Sequence, residues 1–232
     1  MEKILITGCN GQLGRAMNIE LAKDDVEIVN TDVEELDITN IDAVMKFVKD
    51  MQPTIILNCA AFTAVDQCDP QIDLAYKINA IGPRNLTIAA TSVGAKMVQV
   101  STDYVFAGDA TKPYTEFDVP NPKSGYGYTK YAGENFVKEF SNRYFIIRTA
   151  WLYGDGKNFV KTMLRLSESN AEVSVVDDQL GSPTSTVELA KMIHALMYTD
   201  NYGTFHGTCE GMCSWAEFTS EIFRLARKDT KV

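Results

Sequence analysis

The chain has 232 residues, of which 45% are hydrophobic and 23% are charged. This length can bury a full hydrophobic core, and the composition excludes a disordered or membrane-embedded chain. The net charge of −9 argues against nucleic acid as a partner, because binding a phosphate backbone needs clustered Lys and Arg.

The first apolar run, Lys3–Thr7, has the length and the composition of a buried strand. It is too short for a signal peptide, and no later stretch reaches transmembrane length. We therefore expect a cytoplasmic protein that has no membrane partner.

A glycine-rich turn, Gly8–Gly14, follows this strand and leads into a helical run over residues 15–22. Gly8 can turn tightly, Gly11 lets the backbone approach a pyrophosphate, and Gly14 lets the helix pack on the strand. The spacing is Gly-x-x-Gly-x-x-Gly rather than Gly-x-Gly-x-x-Gly, and a glycine triplet alone also occurs in structural turns. Because it stands between a strand and a helix, this turn predicts a dinucleotide site.

Further apolar runs alternate with helical segments along the chain, and we interpret them as strands: Glu27–Asn30, Thr54–Asn58, Met97–Val100 and Tyr144–Ile147. This alternation predicts an α/β fold with a doubly wound parallel sheet, the Rossmann arrangement. We assign residues 1–150 to the dinucleotide-binding domain. Residues 151–232 form a smaller substrate-binding lobe, with segments that pack back on the first domain.

Ligands of such sheets bind at the C-terminal ends of the strands. This rule points to the residues directly after each run, namely Gly8–Gly14, Asp32, Asn58–Thr63, Ser101–Asp103 and Thr149–Trp151. Asp32 follows the glycine turn by about twenty residues, where a carboxylate can bind both hydroxyls of a ribose. It can equally be a turn or cap residue, and Asp37 competes for the cofactor role. Asp32 would repel a 2′-phosphate and so favours NADH, but both NADPH and NADH stay open.

Tyr126 and Lys130 are four residues apart in a helical segment, so their side chains share one helix face. A phenol has a pKa of about 10, and a nearby ammonium lowers that pKa by stabilising the phenolate. Tyr126 is therefore a candidate catalytic acid, whereas Tyr128 has Ala132 at the corresponding position. Such a pair alone is usually a surface feature, so the interpretation depends on the glycine turn and on Ser101–Asp103 upstream.

The cysteines are odd in number and lack the spacing of a small disulfide scaffold, so we expect reduced thiols: Cys9, Cys59, Cys68, Cys209 and Cys213. His206 lies close to the last two in the sequence, but a structural zinc site needs a fourth ligand. The other histidine, His194, lies in an apolar helical stretch. We therefore expect no metal site.

Eight segments resemble, in the same order, those of the extended short-chain dehydrogenase/reductases, and within them the dTDP-4-dehydrorhamnose reductases. They are Thr7–Gly14, Leu36–Thr39, Asn58–Asp66, Ser101–Phe106, Pro113–Glu116, Tyr126–Lys130, Arg148–Gly154 and Asp178–Thr184. The glycine turn and the Tyr/Lys pair are common to the whole superfamily. Ser101–Phe106 followed by Asp178–Thr184 is much more specific to the reductases, and the resemblance covers nearly the whole chain.

This resemblance implies reduction of the C4 ketone of dTDP-4-dehydro-β-L-rhamnose to dTDP-L-rhamnose, for polysaccharide biosynthesis, with NADPH or NADH supplying hydride. It implies Tyr126 as proton donor, Lys130 as the group that lowers its pKa and binds the nicotinamide ribose, and Thr102 as a group that polarises the ketone. The candidate cofactor contacts are Gly8, Asn10, Gly11, Gln12, Leu13, Gly14, Asp32, Asp37, Ile38, Ala61, Phe62 and Thr63, together with Tyr126 and Lys130. The candidate sugar-nucleotide contacts are Thr102, Asp103 and Trp151, the last of which could by itself be a core aromatic.

The chain departs from the family pattern in two places. Family members continue for several dozen residues past the position of Val232, and because that part belongs to the substrate lobe, we expect the lobe to be partial here. Some members also dimerise through a magnesium ion held by glutamates, one of them in the first helix. The corresponding segment is Arg15–Asn18, so we expect a monomer without that metal.

Two alternative functions stay open. Related chains keep the dinucleotide fold but act as non-catalytic, NADP-binding regulatory subunits of a metabolic enzyme; the joint presence of Thr102, Tyr126 and Lys130 favours an enzyme. Other nucleotide-sugar reductases or epimerases use the same scaffold. The family's dehydratases carry Asp-Glu after the threonine, whereas Asp103 is followed by Tyr104, so dehydration ranks below reduction.

Overall fold

The computed structural model describes residues 1–232 and contains ten strands and nine α-helices. The strands are β1 (Glu2–Thr7), β2 (Val26–Thr31), β3 (Ile55–Asn58), β4 (Lys96–Thr102), β5 (Tyr144–Thr149), β6 (Leu152–Tyr153), β7 (Leu180–Gly181), β8 (Thr184–Ser185), β9 (Gly203–His206) and β10 (Cys213–Ser214). The α-helices are α1 (Gln12–Leu21), α2 (Ile41–Met51), α3 (Val65–Cys68), α4 (Ile72–Tyr76), α5 (Gly82–Val93), α6 (Gly125–Phe140), α7 (Phe159–Leu166), α8 (Thr186–Met197) and α9 (Trp215–Ala226). A π-helical turn spans Lys77–Ile81 and a 3₁₀ turn spans Asp103–Val105.

Six strands form one parallel sheet in the order β2, β1, β3, β4, β5, β9. The chain runs outward from β1 to β2 and then crosses back to β3, so the order reverses beside β1, where such sheets bind their ligands. The predicted doubly wound sheet is confirmed, and the ends of the five predicted strands shift by at most two residues. Helix α1 begins three residues earlier than predicted, at Gln12.

Helices cover both faces of this sheet, and the strand side chains alternate between them. Ile4 and Ile6 of β1 belong to one buried cluster with side chains of α1 and α8, whereas Leu5 belongs to a second cluster with α2, α5 and α6. Strands buried on both sides are continuously apolar, which explains why β1 and β3 could be recognised from short apolar runs.

The part of the chain after residue 150 contributes to two regions. Helix α8 packs against α1, and β9 pairs in parallel with β5, so both belong to the layers of the large sheet. Two short ladders pair β6 with β8 and β7 with β10; β8 contacts α8, and β10 contacts α9. Helices α7 and α9 pack on each other around Met163, Ile222 and Phe223. The proposed division into residues 1–150 and 151–232 stays a prediction. No helix of the chain is both long enough and apolar enough to span a bilayer.

Two buried asparagines hold the loops that follow β2 and β3. The Asn79 Oδ1 accepts from the Phe62 backbone N–H at 2.8 Å, and its Nδ2 donates to the Phe62 carbonyl at 3.2 Å. The Asn85 Nδ2 donates to the carbonyls of Ile38 and Thr39 at 3.0 and 3.1 Å. Both side chains are 1% exposed, so each loop is fixed from beneath by a partner that water cannot easily replace.

Each asparagine should therefore control one loop. We expect Asn79→Ala to speed hydrogen exchange at the Phe62 amide and its neighbours by about tenfold or more, because a lost buried hydrogen bond costs about 1–3 kcal/mol. Asn85→Ala should speed hydrogen exchange in residues 36–40 by a similar factor. The measurement is hydrogen-exchange mass spectrometry, in which each variant serves as the control for the other. Equal acceleration of both loops in both variants would contradict local anchoring.

Candidate active site

A cavity of about 740 Å³ opens at the C-terminal ends of the central strands. Most of the candidate residues line it, namely Gly8, Gly11, Gln12, Leu13, Asp32, Asp37, Ile38, Ala61, Thr63, Thr102, Asp103, Tyr126, Lys130 and Trp151. Asn10, Gly14 and Phe62 are not part of its wall. The candidate residues in the wall thus come from the first turn through residue 151, and the parallel sheet brings them to one edge.

The glycine turn owes its shape to close backbone contacts. Gly8 has a φ of +68°, and a side chain there would place its Cβ 2.7 Å from the backbone nitrogen of Ala60. A Cβ on Gly14 would collide with the carbonyl oxygen of Gly8, so Gly14 lets α1 pack directly on the turn rather than contact a ligand. Gly11 is the N-cap of α1 and no side chain caps this helix, so its first N–H groups are left for an anion.

Asn10 and Phe62 take part in the loop structure behind the wall. The Asn10 backbone N–H donates to Asp32 Oδ2 at 3.2 Å, which ties the glycine turn to the end of β2. The backbone of Phe62 is held by Asn79 as described above. Direct contacts of Asn10 and Phe62 with a cofactor stay a prediction.

Two carboxylates face the cavity near the end of β2. Asp32 accepts from the backbone of Asn10 and, at 2.9 Å, from that of Val33. Asp37 accepts from the backbone and the hydroxyl of Thr39 at 2.9 and 2.8 Å. Both line the wall, and both therefore remain candidate partners for ribose hydroxyls.

Helix α6 places Tyr126 and Lys130 on the cavity side. Its N-cap is Ser124, whose hydroxyl accepts from the Gly127 N–H at 3.2 Å and so sets the start of the helix just before Tyr126. The Tyr126 ring contacts that of Tyr104 edge to face, with ring centroids 5.5 Å apart. Tyr128 is 55% exposed and does not line the cavity.

The expected lowering of the Tyr126 pKa by Lys130 is wrong in this structure. Burial raises the pKa of Tyr126 strongly, the Asp103 carboxylate raises it further, and the Thr102 side chain opposes this by a smaller amount. The Lys130 Nζ donates instead to the Val100 carbonyl at 2.7 Å. Burial lowers the pKa of Lys130 to about 8.

Thr102 and Asp103 end strand β4 at the cavity. The Thr102 hydroxyl donates to Asp103 Oδ1 at 2.9 Å and accepts from the Tyr104 N–H at 3.2 Å. Burial raises the pKa of Asp103. To donate to a substrate oxygen, the Thr102 hydroxyl has to exchange its carboxylate partner for that oxygen.

Trp151 is both a packed aromatic and a wall residue. Its ring stacks on Trp215 of α9, with ring centroids 3.4 Å apart and planes 10° apart, and Gly181 lies against the ring. Its φ of 47° is in the left-handed region, which is unusual for a bulky residue. Packing on Trp215 therefore sets where Trp151 meets the cavity.

Position at a strand end correctly predicted five further wall residues, Cys59, Ala60, Ser101, Thr149 and Ala150. The sequence analysis missed the rest of the wall, namely Thr7, Val33, Leu36, Thr39, Val65, Ile78, Val100, Tyr104, Leu152 and Lys157. Most of these missed residues lie within or directly beside segments that were recognised, so membership of such a segment is the signal that could have found them. Ile78 and Lys157 lie outside those motifs.

Lys157 belongs to a loop that contacts the start of α1. The Asn158 Nδ2 donates to Gln12 Oε1 at 3.2 Å, and the Arg15 Nη2 donates to the Asp155 carbonyl at 2.6 Å. Lys157 lies between these contacts and is exposed, and with Lys130 it is one of two cationic side chains in the wall. It therefore adds positive charge near the glycine turn.

The cysteines are all unpaired, and no group of three or more His, Cys, Asp or Glu side chains is arranged to hold a metal ion. Cys59 lines the cavity, and burial raises the pKa of its thiol to about 12. The thiolate is the reactive form of cysteine, so Cys59 is an unreactive packing residue at neutral pH.

Comparison with solved structures identifies close structural relatives. A dTDP-4-dehydrorhamnose reductase from Clostridium acetobutylicum is 60% identical, with a TM-score of 0.98, and the match covers 99% of this chain and 82% of that one. The enzyme of that name from Bacillus anthracis, solved in complex with NADP, is 52% identical with a TM-score of 0.98, and the match covers 100% and 84%.

The sequence comparisons agree. The spore coat polysaccharide biosynthesis protein SpsK of Bacillus subtilis is 40% identical over all of this chain and 82% of its own length. The family model described as the RmlD substrate binding domain matches residues 1–232. The predicted resemblance is thereby confirmed, and the chain belongs to the RmlD substrate binding domain family of extended short-chain dehydrogenase/reductases.

Proposed function

We propose that this chain is an NAD(P)-dependent oxidoreductase that reduces the C4 ketone of dTDP-4-dehydro-β-L-rhamnose to dTDP-L-rhamnose, for polysaccharide biosynthesis. The observation that carries the proposal is one cavity that contains both the glycine turn and the trio Thr102, Tyr126 and Lys130. The relatives named dTDP-4-dehydrorhamnose reductase support this substrate. A dTDP-sugar is therefore the proposed partner.

The residues around the glycine turn fit a dinucleotide. A side chain at Gly8 would collide with Ala60, and the uncapped N-terminus of α1 can accept a pyrophosphate. Asp32 and Asp37 offer carboxylates to ribose hydroxyls. NADPH or NADH, when bound, supplies the hydride for the reduction. The NADP complex of the 52% identical relative supports NADPH.

The raised pKa of Tyr126 suits a proton donor. The phenol stays fully protonated at neutral pH, and it can give its proton to the alkoxide that forms when hydride adds to the ketone carbon. The Thr102 hydroxyl donates a hydrogen bond to the same oxygen and so stabilises the developing charge.

Lys130 provides the positive charge of the trio. Its pKa of about 8 means that the ammonium is present at neutral pH and is lost as the pH rises through that value. We assign to it the nicotinamide ribose and the electrostatic support of the alkoxide. Activity should therefore fall above about pH 8, while Tyr126 itself stays protonated.

Trp151 and Asp103 are the proposed contacts of the sugar nucleotide, with Trp215 fixing the Trp151 ring.

We keep the expectation of a monomer, because the segment Arg15–Asn18 lacks the glutamate of the magnesium-linked members. We also place the enzyme in the cytoplasm, which the five unpaired cysteines support. An NADP-binding regulatory subunit remains the alternative that the assay below must exclude.

The test of the function is the absorbance of NADPH or NADH in the presence of purified protein and enzymatically generated dTDP-4-dehydro-β-L-rhamnose. We expect oxidation of the dinucleotide and formation of dTDP-L-rhamnose, identified by mass spectrometry and by its sugar stereochemistry. Dinucleotide binding without turnover would replace the proposal with the regulatory role. Turnover of only other 4-keto sugars would keep the reductase and change its substrate.

Replacement of the proton donor should separate catalysis from binding. We expect Tyr126→Phe to lower kcat by at least about 10²-fold, because general acid catalysis contributes about 10²–10⁴-fold, and to leave NADPH affinity within a few-fold. Tyr128→Phe is the matched control on the same helix and should keep kcat. A parallel loss of NADPH affinity in Tyr126→Phe would assign Tyr126 a structural role instead.

Lys157 should strengthen binding of the dinucleotide pyrophosphate. We expect Lys157→Met to weaken NADPH binding about three- to tenfold at low salt, and less at high salt, because the site loses one cation near the glycine turn. Lys161→Met is the control, since Lys161 pairs with Asp155 at 3.2 Å and lies outside the wall. Fluorescence titration of NADPH measures both; equal effects would contradict a direct role for Lys157.

A further inference from the structure

Glu134 is a completely buried carboxylate beneath the cavity. It lies on α6 one turn beyond Lys130 and is 0% exposed. Arg148 of β5 donates to both of its oxygens, from Nε to Oε1 at 2.9 Å and from Nη2 to Oε2 at 2.7 Å. A well-packed apolar pair often stabilises a core as well as a buried ion pair does. Stability alone therefore does not explain why Glu134 and Arg148 are buried here.

The same carboxylate reaches the strand that carries Thr102. The Ser101 hydroxyl donates to Glu134 Oε1 at 2.6 Å, and Ser101 directly precedes Thr102 at the end of β4. The Val100 carbonyl, on the same strand, accepts from Lys130 Nζ. Glu134 is therefore linked both to the end of β4 and to the helix that carries Tyr126 and Lys130.

The charged surroundings of Lys130 single out Glu134. Burial lowers the pKa of Lys130, while Glu134 on its own helix and Cys59 at the end of β3 raise it, in that order of size. Because burial raises the pKa of the Cys59 thiol to about 12, Cys59 is neutral at neutral pH. Glu134 is then the negative charge that acts on Lys130.

Glu134 in turn is faced from four elements. Arg148 on β5 and Ser101 on β4 bind it directly, Lys138 on its own helix lies 3.5 Å from Oε2, and His206 on β9 is near enough for its pKa to be raised by Glu134. Burial is the larger influence on His206 and lowers its pKa. None of these partners is a second carboxylate.

We propose that Glu134 is a positioning residue of the active site: clamped by Arg148 and Ser101, it places a buried negative charge one helical turn from Lys130 and holds that side chain in register with Thr102. The carboxylate acts through Lys130 and touches neither substrate nor cofactor. The role in catalysis rests on the proposed reduction, whereas the effect on Lys130 is a property of the protein alone.

The test is a direct titration of Lys130 by NMR in protein labelled with ¹³C-lysine, with the signal assigned from its loss in Lys130→Arg. We expect a pKa near 8 in the wild type and a value lower by about one unit or more in Glu134→Gln, which removes an opposite charge one helical turn away. An unchanged Lys130 pKa in folded Glu134→Gln would overturn the proposal.

Two further variants separate charge from packing. Arg148→Lys removes the bidentate contact and keeps both charges, so we expect a lower melting temperature with a Lys130 pKa close to that of the wild type. If Arg148→Lys lowers the Lys130 pKa as much as Glu134→Gln does, the proposal is overturned, because loosened packing would then explain the pKa change in both variants. If Glu134→Gln does not fold, Glu134→Asp is measured instead, because its shorter side chain moves the carboxylate away from Lys130. A Lys130 pKa below the wild-type value in Glu134→Asp then supports the proposal, and an unchanged Lys130 pKa overturns it.

Kinetics provides the functional readout. The alkaline limb of kcat/KM for NADPH-dependent reduction should move to lower pH in Glu134→Gln by the same amount as the Lys130 pKa, with NADPH affinity at pH 6 close to that of the wild type. An alkaline limb of Glu134→Gln at the same pH as in the wild type would overturn the catalytic part of the proposal. The titration needs no sugar substrate, so a failed reduction assay would count against the proposed function and leave the result on Glu134 intact.

Discussion

The buried pair of Glu134 and Arg148 joins the three elements on which the candidate site depends. It connects α6, which carries Tyr126 and Lys130, to β5, which leads to Trp151, and through Ser101 to β4, which ends at Thr102. An uncompensated charge at this depth would be strongly destabilising, so each partner requires the other. The relative position of the proposed acid, the proposed cation and the proposed polarising hydroxyl is therefore set from below the cavity, by a buried pair that lies outside the cavity wall.

Burial sets the protonation states of the candidate acid and the candidate cation. Because burial and the Asp103 carboxylate both raise the pKa of Tyr126, its phenol holds its proton more firmly than a free tyrosine does. The same burial makes Lys130 easier to deprotonate than a free lysine. An acid that stays protonated beside a cation that titrates near pH 8 is suited to delivering a proton to an alkoxide.

The cofactor side is shaped by backbone more than by side chains. Gly8 and Gly14 allow the turn, the loop after β3 and the start of α1 to approach more closely than any Cβ permits. Asn79 and Asn85 then hold the loops after β3 and β2 through backbone groups. The wall is consequently well defined before a dinucleotide enters, which lowers the ordering cost of binding.

The sequence by itself determined the parallel sheet, its five main strands and most of the cavity wall, because apolar runs report burial and strand ends of a parallel sheet share one edge. Helical spacing also favoured Tyr126 over Tyr128, and the structure places Tyr126 in the cavity wall and Tyr128 outside it, while the catalytic role of Tyr126 stays a prediction. Strand β9 was missed, since Gly203–His206 has only one large apolar side chain, Phe205, and lies at the sheet edge, where all four residues are only half-buried. Only the tertiary structure decided the raised pKa of Tyr126, the stacking of Trp151 on Trp215, the place of Lys157 beside the glycine turn and the link from Glu134 to Arg148. Each depends on burial or on a contact between residues distant in the chain, and local spacing carries no information about either.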